Sequence, residues 1–469
     1  MLYFQKEYVL LPPLKPKPKN MKNKPFLYFI CMVSALGGLL FGYDWVVIGG
    51  AKPFYELFFG ISQSPVMQGV AMTTALVGCL LGAMVAGGMA DRYGRKPLLT
   101  TAAVLFTVSA IMTGWVSDFT LFNIARFIGG VGIGVASALS PMYIAEVSPA
   151  EIRGRMVSLN QMTIVLGILS AQVVNLLLAR DTAVAESQTW NVAWGWRWMF
   201  WAETVPAALF LLMSLFIPES PVFTQMKEGK KKADRLKTKD KGEEATSALM
   251  FSPLLSPHYR RVLTLGLVIA VFQQWCGTNV IFNYAQEIFT GAGFDVDGMF
   301  INIVITGIVN VLFTFAALYT IERWGRRTLM LIGAGGLGLV YLILGTCYAL
   351  HLTGVLMVGL VVTAIAIYAM TLGPVTWTLL AEIFPNHIRG LAMATCTFAL
   401  WVGCCTLTFS FPSMNAVLGS SGTFWTYSVI CLLAFVFLWR RCPETKGKTL
   451  EQLEDELVNR GAVIENRDL

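Results

Sequence analysis

Asp91-Arg92-Tyr93-Gly94-Arg95-Lys96 returns in diverged form as Glu322-Arg323-Trp324-Gly325-Arg326-Arg327, and each copy closes a long apolar run. Two more pairs keep step with it. Glu146 stands seven residues before Arg153-Gly154-Arg155, as Glu382 stands seven before Arg389-Gly390. Pro218-Glu219-Ser220 matches Pro443-Glu444-Thr445. The offsets are about 225 to 236 residues in a chain of 469, so the second half reads as a copy of the first. Charge placed at matching helix ends of a duplicated apolar chain is the layout of a membrane transporter with its substrate site between the halves.

Composition supports a membrane reading. Hydrophobic residues make up 55% of the chain and charged residues only 13%, against roughly 25% charged in a soluble domain. A helical span needs about 20 apolar residues. Twelve such runs are expected, over 26–50, 67–90, 97–117, 119–143, 156–179, 196–217, 260–290, 299–322, 328–350, 354–380, 390–412 and 422–441. The expected fold is therefore an all-α polytopic membrane protein with two pseudo-symmetric six-helix bundles, 26–217 and 260–441. A cytoplasmic N-terminal extension (1–25), a linker (218–259) and a cytoplasmic tail (442–469) complete it. Met21 makes a natural start before the first run, so residues 1–20 read as a disordered extension or a misassigned start.

Lys and Arg orient the chain. Loops after the even-numbered runs carry Arg92, Arg95, Lys96, Arg153, Arg155, Arg323, Arg326, Arg327 and Arg389, with a lysine-dense centre from Lys227 to Lys241. The opposite loops hold little beyond Lys52, Arg180 and Arg197. Both termini are accordingly expected in the cytoplasm. The net charge of +7 then marks topology, not nucleic-acid binding. Nine cysteines lie mostly inside apolar runs, against a disulfide framework. His258, His351 and His387 are scattered, so neither metal nor cofactor is expected. No nucleophile–base constellation marks an enzyme.

Gly130-Val-Gly132-Ile-Gly134 and Gly333-Ala-Gly335-Gly336-Leu-Gly338 superficially resemble nucleotide loops. Such loops need a preceding strand in a soluble βαβ unit. Inside membrane-length runs, small residues let helices pack closely.

Three intramembrane charges stand apart. Asp44 lies in the first run, Arg126 in the fourth and Glu203 in the sixth. A charge at mid-bilayer costs about 2.5–3.5 kcal/mol on insertion scales and therefore pairs or faces water. Asp44 and Arg126 make the natural pair, either as a static tie between helices or as a proton switch released when Asp44 is protonated. Glu203 joins or modulates it. At the helix ends, Arg95, Glu146 and Arg153 in one half and Arg326, Glu382 and Arg389 in the other form candidate cytoplasmic gate ion pairs.

Polar residues for a ligand gather in the seventh run, Gln273-Gln274-Trp275-Cys276-Gly277-Thr278-Asn279. On a straight helix Asn279 lies about 140° from Gln274. One ligand meets all three amides only if the helix unwinds, and Gly277 lies where it would. Gln161, Asn310 and Trp377 are further candidates, and Gly373-Pro374 is expected to kink the tenth run just before Trp377. Amides match hydroxyls, and an indole face packs on apolar C–H surfaces. The set suits an uncharged polyhydroxyl ligand.

These stretches, with Pro218-Glu219-Ser220-Pro221, Gly373-Pro374-Val375-Thr376-Trp377, Glu382-Ile383-Phe384-Pro385 and Pro443-Glu444-Thr445-Lys446-Gly447, resemble the sugar porter family of the major facilitator superfamily from about residue 26 to 455. Bacterial proton–xylose symporters and their hexose-carrying relatives are most similar. The resemblance implies alternating access around a central sugar held by Gln161, Gln273, Gln274, Asn279, Asn310 and Trp377. It places Phe41, Tyr284, Gly373 and Trp401 in the cavity wall. Proton-coupled members carry the acid and the arginine found here as Asp44 and Arg126, whereas uniporting relatives commonly lack the acid.

The chain departs from that pattern at Val222-Phe223-Thr224, where the family has Arg-Trp-Leu. It departs again at Ile168 and Leu400, where xylose carriers have glutamines. Pentose and hexose therefore both stay open. The expectation is a secondary active transporter that imports a monosaccharide with a proton, working as a monomer in the bacterial inner membrane. A facilitative sugar or polyol uniporter is the alternative; a non-transporting membrane sugar sensor, expected to carry a long tail, is the more distant one.

Overall fold

The computed structural model describes residues 24–149, 152–180, 185–225, 227, 257–385, 388–448 and 450–459. The helices are α1 (Lys24–Phe59), α2 (Pro65–Tyr93), α3 (Arg95–Trp115), α4 (Phe119–Val147) and α5 (Arg153–Leu178). A broken passage follows: α6 (Ala185–Trp190), a π turn, α7 (Trp196–Ala202) and α8 (Thr204–Ser214). The second half holds α9 (Pro257–Trp275), α10 (Thr278–Asn283), α11 (Ala285–Gly291), α12 (Val296–Trp324), α13 (Arg326–Ala349), α14 (Val355–Met370), α15 (Leu372–Ile383) and α16 (Arg389–Arg441). A short α17 (Leu450–Glu454) ends it.

Ten of these stretches are long and apolar enough to cross a membrane. α16 bends sharply at Gly419 (φ 68°), so it makes two passes. The fragmented α6–α8 passage adds one more, which gives the twelve expected from hydropathy. The first span is longer than expected. It continues past residue 50 to Phe59, and Lys52, read from sequence as a loop charge, is a buried helical residue. The linker's lysine-dense stretch lies outside the described residues.

Local signals explain the boundaries. Ser64 Oγ accepts from the Met67 N–H at the start of α2, with Pro65 in the first turn, where a missing N–H costs nothing. Asp118 caps α4 and Asp295 caps α12 in the same way, each at 2.9 Å. The repeated motif also has a shared structural meaning. Gly94 (φ 105°) and Gly325 (φ 82°) turn the chain from one helix into the next, in a region closed to most side chains. The helix begun after each glycine is then capped from the end of its own bundle. Glu219 accepts from the Arg95 and Lys96 N–H groups at 2.9 and 3.3 Å, and Glu444 accepts from those of Arg326 and Arg327 at 2.9 and 3.1 Å. A carboxylate at a helix N-terminus satisfies orphan donors and complements the dipole.

α1–α8 form one bundle and α9–α16 the other. In the first, α2 packs on α4, and α1 on α5; in the second, α13 packs on α16, and α12 on α14. The bundles meet through α5 on α12 and α2 on α16. The α2–α4 seam is set by glycine: a Cβ on Gly130 would strike the Ala75 carbonyl, and one on Gly134 the Cys79 carbonyl. Both neighbours are backbone, so neither can yield. Gly130→Ala should therefore force the helices apart at about 1–3 kcal/mol. The check is a lowered thermal midpoint in detergent relative to Gly390→Ala, where nothing lies near.

Candidate functional site

The seventh passage breaks where sequence places Gly277. α9 stops at Trp275, Gly277 adopts φ 87°, and α10 restarts at Thr278. The break swings Asn279 back over the end of α9. Its amide donates to Gln274 Oε1, Gln274 donates to Gln273 Oε1 at 2.5 Å, and Gln273 donates to Tyr368 Oη at 2.6 Å. Each amide thus polarises the next, an arrangement in which hydrogen bonds strengthen one another. The three amides are 5–8% exposed.

The tenth passage breaks at Thr371, between α14 and α15, two residues before Gly373. Pro374 lacks an N–H and would clash with the carbonyl four residues back, so the helix restarts ahead of it. That restart leaves Trp377 on α15 as an exposed indole, at 37%. Asn310 on α12 is buried, while Gln161 on α5 and Phe41 on α1 are half-buried. Phe41, Trp45 and Trp401 form an aromatic cluster that bridges the bundles, with ring centroids 5.6–6.1 Å apart.

Tyr284 is placed differently from the cavity wall implied by the resemblance. It is fully buried, donates to the Thr408 carbonyl at 2.6 Å and packs on Phe411. Sequence reading passed over Tyr368 and Trp45, which looked like ordinary apolar-run aromatics. It also passed over Gln172 and Asn283. Gln172 is 1% exposed with neither amide atom hydrogen-bonded among the described residues, and Asn283 Oδ1 is likewise unpaired. Their spacing carried a signal: Gln161 and Gln172, eleven residues apart, share one helical face, as do Asn279 and Asn283.

The charged centre lies inside the first bundle. Arg126 donates to Asp44 through a close ion pair, with both residues 2% exposed, and its second Nη reaches the Asp44 carbonyl at 3.4 Å. Its guanidinium also lies 5.3 Å above the Phe200 ring. Glu203, at the joint between α7 and α8, adds a second carboxyl beside Asp44. One cation therefore faces two carboxyl groups. Asp44 Oδ2 and Arg126 Nε have no hydrogen-bond partner among the described residues.

Among the described residues, the helix-end charges pair within each bundle, not across the gap. Arg95 bridges Glu146 at 3.0 Å and Asp91 at 3.1 Å, and Ser220 donates to Glu146. Arg326 repeats this with Glu382 at 2.9 Å and Glu322 at 3.1 Å, and Thr445 donates to Glu382 at 2.5 Å. Among the described residues Arg389 meets no acid; its guanidinium donates to the Phe384 carbonyl at 3.1–3.2 Å. The Arg153 side chain lies outside the described residues. These pairs fasten helices inside each bundle and need not break when the bundles part.

Contacts between bundles concentrate at the end away from these basic clusters. There Lys52 bonds Glu287, Phe54 stacks on Phe300 at 6.2 Å, Gly69 abuts the Phe409 carbonyl, and Gly49 abuts the carbonyls of Phe282 and Asn283. The bundles are thus joined at that end.

This architecture and motif set match a single family model, "Sugar (and other) transporter", over residues 30–457. The chain belongs to the sugar transporter family. Among its relatives are the arabinose-proton symporter of Bacillus subtilis and the D-xylose-proton symporter of Escherichia coli K12. The first is 36% identical over 92% of this chain and 94% of the relative. The second is 36% identical over 92% and 96%. This sugar transporter also superimposes on the inward-open conformation of the xylose transporter XylE from E. coli, with a TM-score of 0.78 and 35% identity, covering 92% of this chain and all of that one. XylE bound to 6-bromo-6-deoxy-D-glucose is similar as well, at a TM-score of 0.73 and 34% identity over 93% and all of the two chains. The fold is that of the major facilitator superfamily.

Proposed function

We propose that this sugar transporter imports a monosaccharide together with a proton, by alternating access. The observation that carries this is the division of labour between the bundles. A neutral amide chain lies at a broken helix in one, and a buried acid–base pair with a second carboxyl lies in the other. The relatives' names, which pair a sugar with a proton, support the reading. The sugar site is assigned to Gln161, Gln273, Gln274, Asn279, Asn310 and Trp377, with Phe41, Gly373 and Trp401 around it. Its partners are the sugar, the proton and the lipid bilayer of a bacterial inner membrane, with one chain as the working unit.

Orientation follows from the basic loops, which place the Arg95 and Arg326 clusters and both termini in the cytoplasm. The joined end is then extracellular and the structure represents an inward-facing state. In the cycle, a proton from outside neutralises Asp44 and loosens its hold on Arg126. Sugar binding to the amides closes the outer end, and release inside lets Asp44 ionise and recapture Arg126. Glu203 keeps a second carboxyl group beside Asp44 and Arg126 throughout. Residues 26–217 and 260–441 act as the two moving bundles, the cytoplasmic segment 218–259 links them, and 442–469 form a cytoplasmic tail.

The test is sugar-stimulated proton uptake by vesicles containing the purified protein, across D-xylose, L-arabinose, D-glucose and myo-inositol. Alkalinisation of the medium on adding one of these is the expected result. Sugar flux without any pH change would establish facilitated diffusion instead.

A further inference from the structure

Lys52 is a cation that the transport cycle above does not use, and it is among the most completely buried side chains in the protein, at 1% exposure. It lies on α1 one turn before Glu56, with which it pairs at 3.0 Å. Its ammonium also forms a close ion pair with Glu287 on α11, in the other bundle. Among the described residues, this is the ion pair that joins the two bundles. Burial of a lone ammonium is prohibitive, so pairing here is obligatory. The ring of Tyr284 lies 5.4 Å from the ammonium and closes one side of the site. Gln68 reaches Glu56 Oε2 at 3.4 Å from another.

We propose that Lys52, Glu56 and Glu287 form the extracellular latch of the transport cycle, holding the outer ends of the bundles together in the inward-facing state. The proposal rests on the alternating-access reading. Its logic lies in which partner travels. When the outer end opens, Glu56 stays with Lys52 because both are on α1, and only Glu287 leaves with α11. Lys52 is therefore never stranded without a carboxylate. Glu287 is the most exposed of the three, with its side chain 24% exposed against 2% and 6% for the others. It can hydrate as it leaves. Glu287 Oε2 lacks a hydrogen-bond partner even in the closed state, among the described residues. The latch is thus incompletely satisfied, which keeps it reversible.

Removing Lys52 has a second effect beyond losing an attraction. It leaves Glu56 and Glu287 facing each other, and their repulsion drives the outer end open. Lys52 is accordingly a positioning residue that sets the balance of the two states without touching the sugar.

Electron–electron distance measurements test this. Spin labels are carried by a ketone-bearing amino acid at the exposed positions Gln63 and Leu352, leaving the native cysteines untouched. The native protein in lipid should show a predominantly short distance. Lys52→Met should move most of the distribution to longer distances, Glu287→Gln should move part of it, and Lys52→Arg should leave it short. The exchanged pair, Lys52→Glu with Glu287→Lys, restores one cation between two carboxylates and should recover the short distance. Should Lys52→Met fail to fold, Glu287→Gln and the exchange decide the matter. Native distances in both Glu287→Gln and Lys52→Met, or in Glu287→Gln alone if Lys52→Met is lost, overturn the latch. So does an exchange that fails to recover the short distance after Glu287→Gln has shifted it. Sugar flux into vesicles, scored separately on the native protein, reports on the transport reading itself.

Discussion

Asp44→Asn should abolish concentrative uptake while preserving exchange of sugar across the membrane. One proton moving down a potential of 100 mV supplies about 2.3 kcal/mol. At 1.36 kcal/mol per decade, that supports a sugar gradient of about 50-fold. Asparagine keeps the size and polarity of the side chain but cannot gain or lose a proton, so the gradient should fall to unity. The Arg126 cation keeps Glu203 as a nearby carboxyl, and the bundle should therefore remain folded. Labelled sugar accumulation under a valinomycin-set potential, compared with counterflow at zero potential, separates the two activities. Accumulation that persists in the variant would mean that Asp44–Arg126 is a static tie and that the proton travels elsewhere.

The second large effect is expected at Gln274, the middle of the amide chain. Gln274 accepts from Asn279 and donates to Gln273. Leucine in its place keeps the volume while stranding amide groups on both neighbours in a buried site. An unsatisfied buried polar group costs about 1–3 kcal/mol, or roughly 5- to 150-fold in affinity if the ligand cannot replace the lost bonds. Sugar affinity in Gln274→Leu should fall by that range when followed through quenching of tryptophan fluorescence, with Trp377 and Trp401 as the nearby reporters. Gln274→Glu makes a useful companion, because it retains the acceptor for Asn279 and replaces the donor to Gln273 with a carboxyl oxygen. Unchanged affinity in the leucine variant would remove this chain from the sugar site.

Much of the architecture is legible in the sequence alone. Hydropathy implied twelve passes because a bilayer imposes a fixed length on every helix. The duplicated charge motif marked two bundles because each copy solves the same local problem, a tight glycine turn followed by a helix capped by a distant glutamate. Gly277 signalled the break in the seventh passage because two amides and an asparagine cannot meet on a straight helix. The aromatic and amide contacts that were missed, Tyr368 and Trp45 above all, are partners supplied by other helices. Nothing in their own neighbourhood sets them apart from lipid-facing aromatics.

Lys52 shows the limit most clearly. In the sequence it is one lysine near the end of an apolar run, indistinguishable from a loop charge that marks topology. Helix α1 continues past it, and the ammonium is met by Glu56, one turn on, and by Glu287, some 235 residues away. Arg389 shows the converse: its register with Arg153 predicted an ion pair, yet among the described residues its guanidinium donates to the backbone carbonyl of Phe384, at the end of the preceding helix. The sequence by itself determined what is repeated and local: membrane class, helix count, two-bundle symmetry, and the residue types of a neutral polar site and an acid–base pair. Only the tertiary structure decided which charges face one another and which end of the bundles is joined. Those depend on contacts between segments far apart in the chain, which no local pattern encodes.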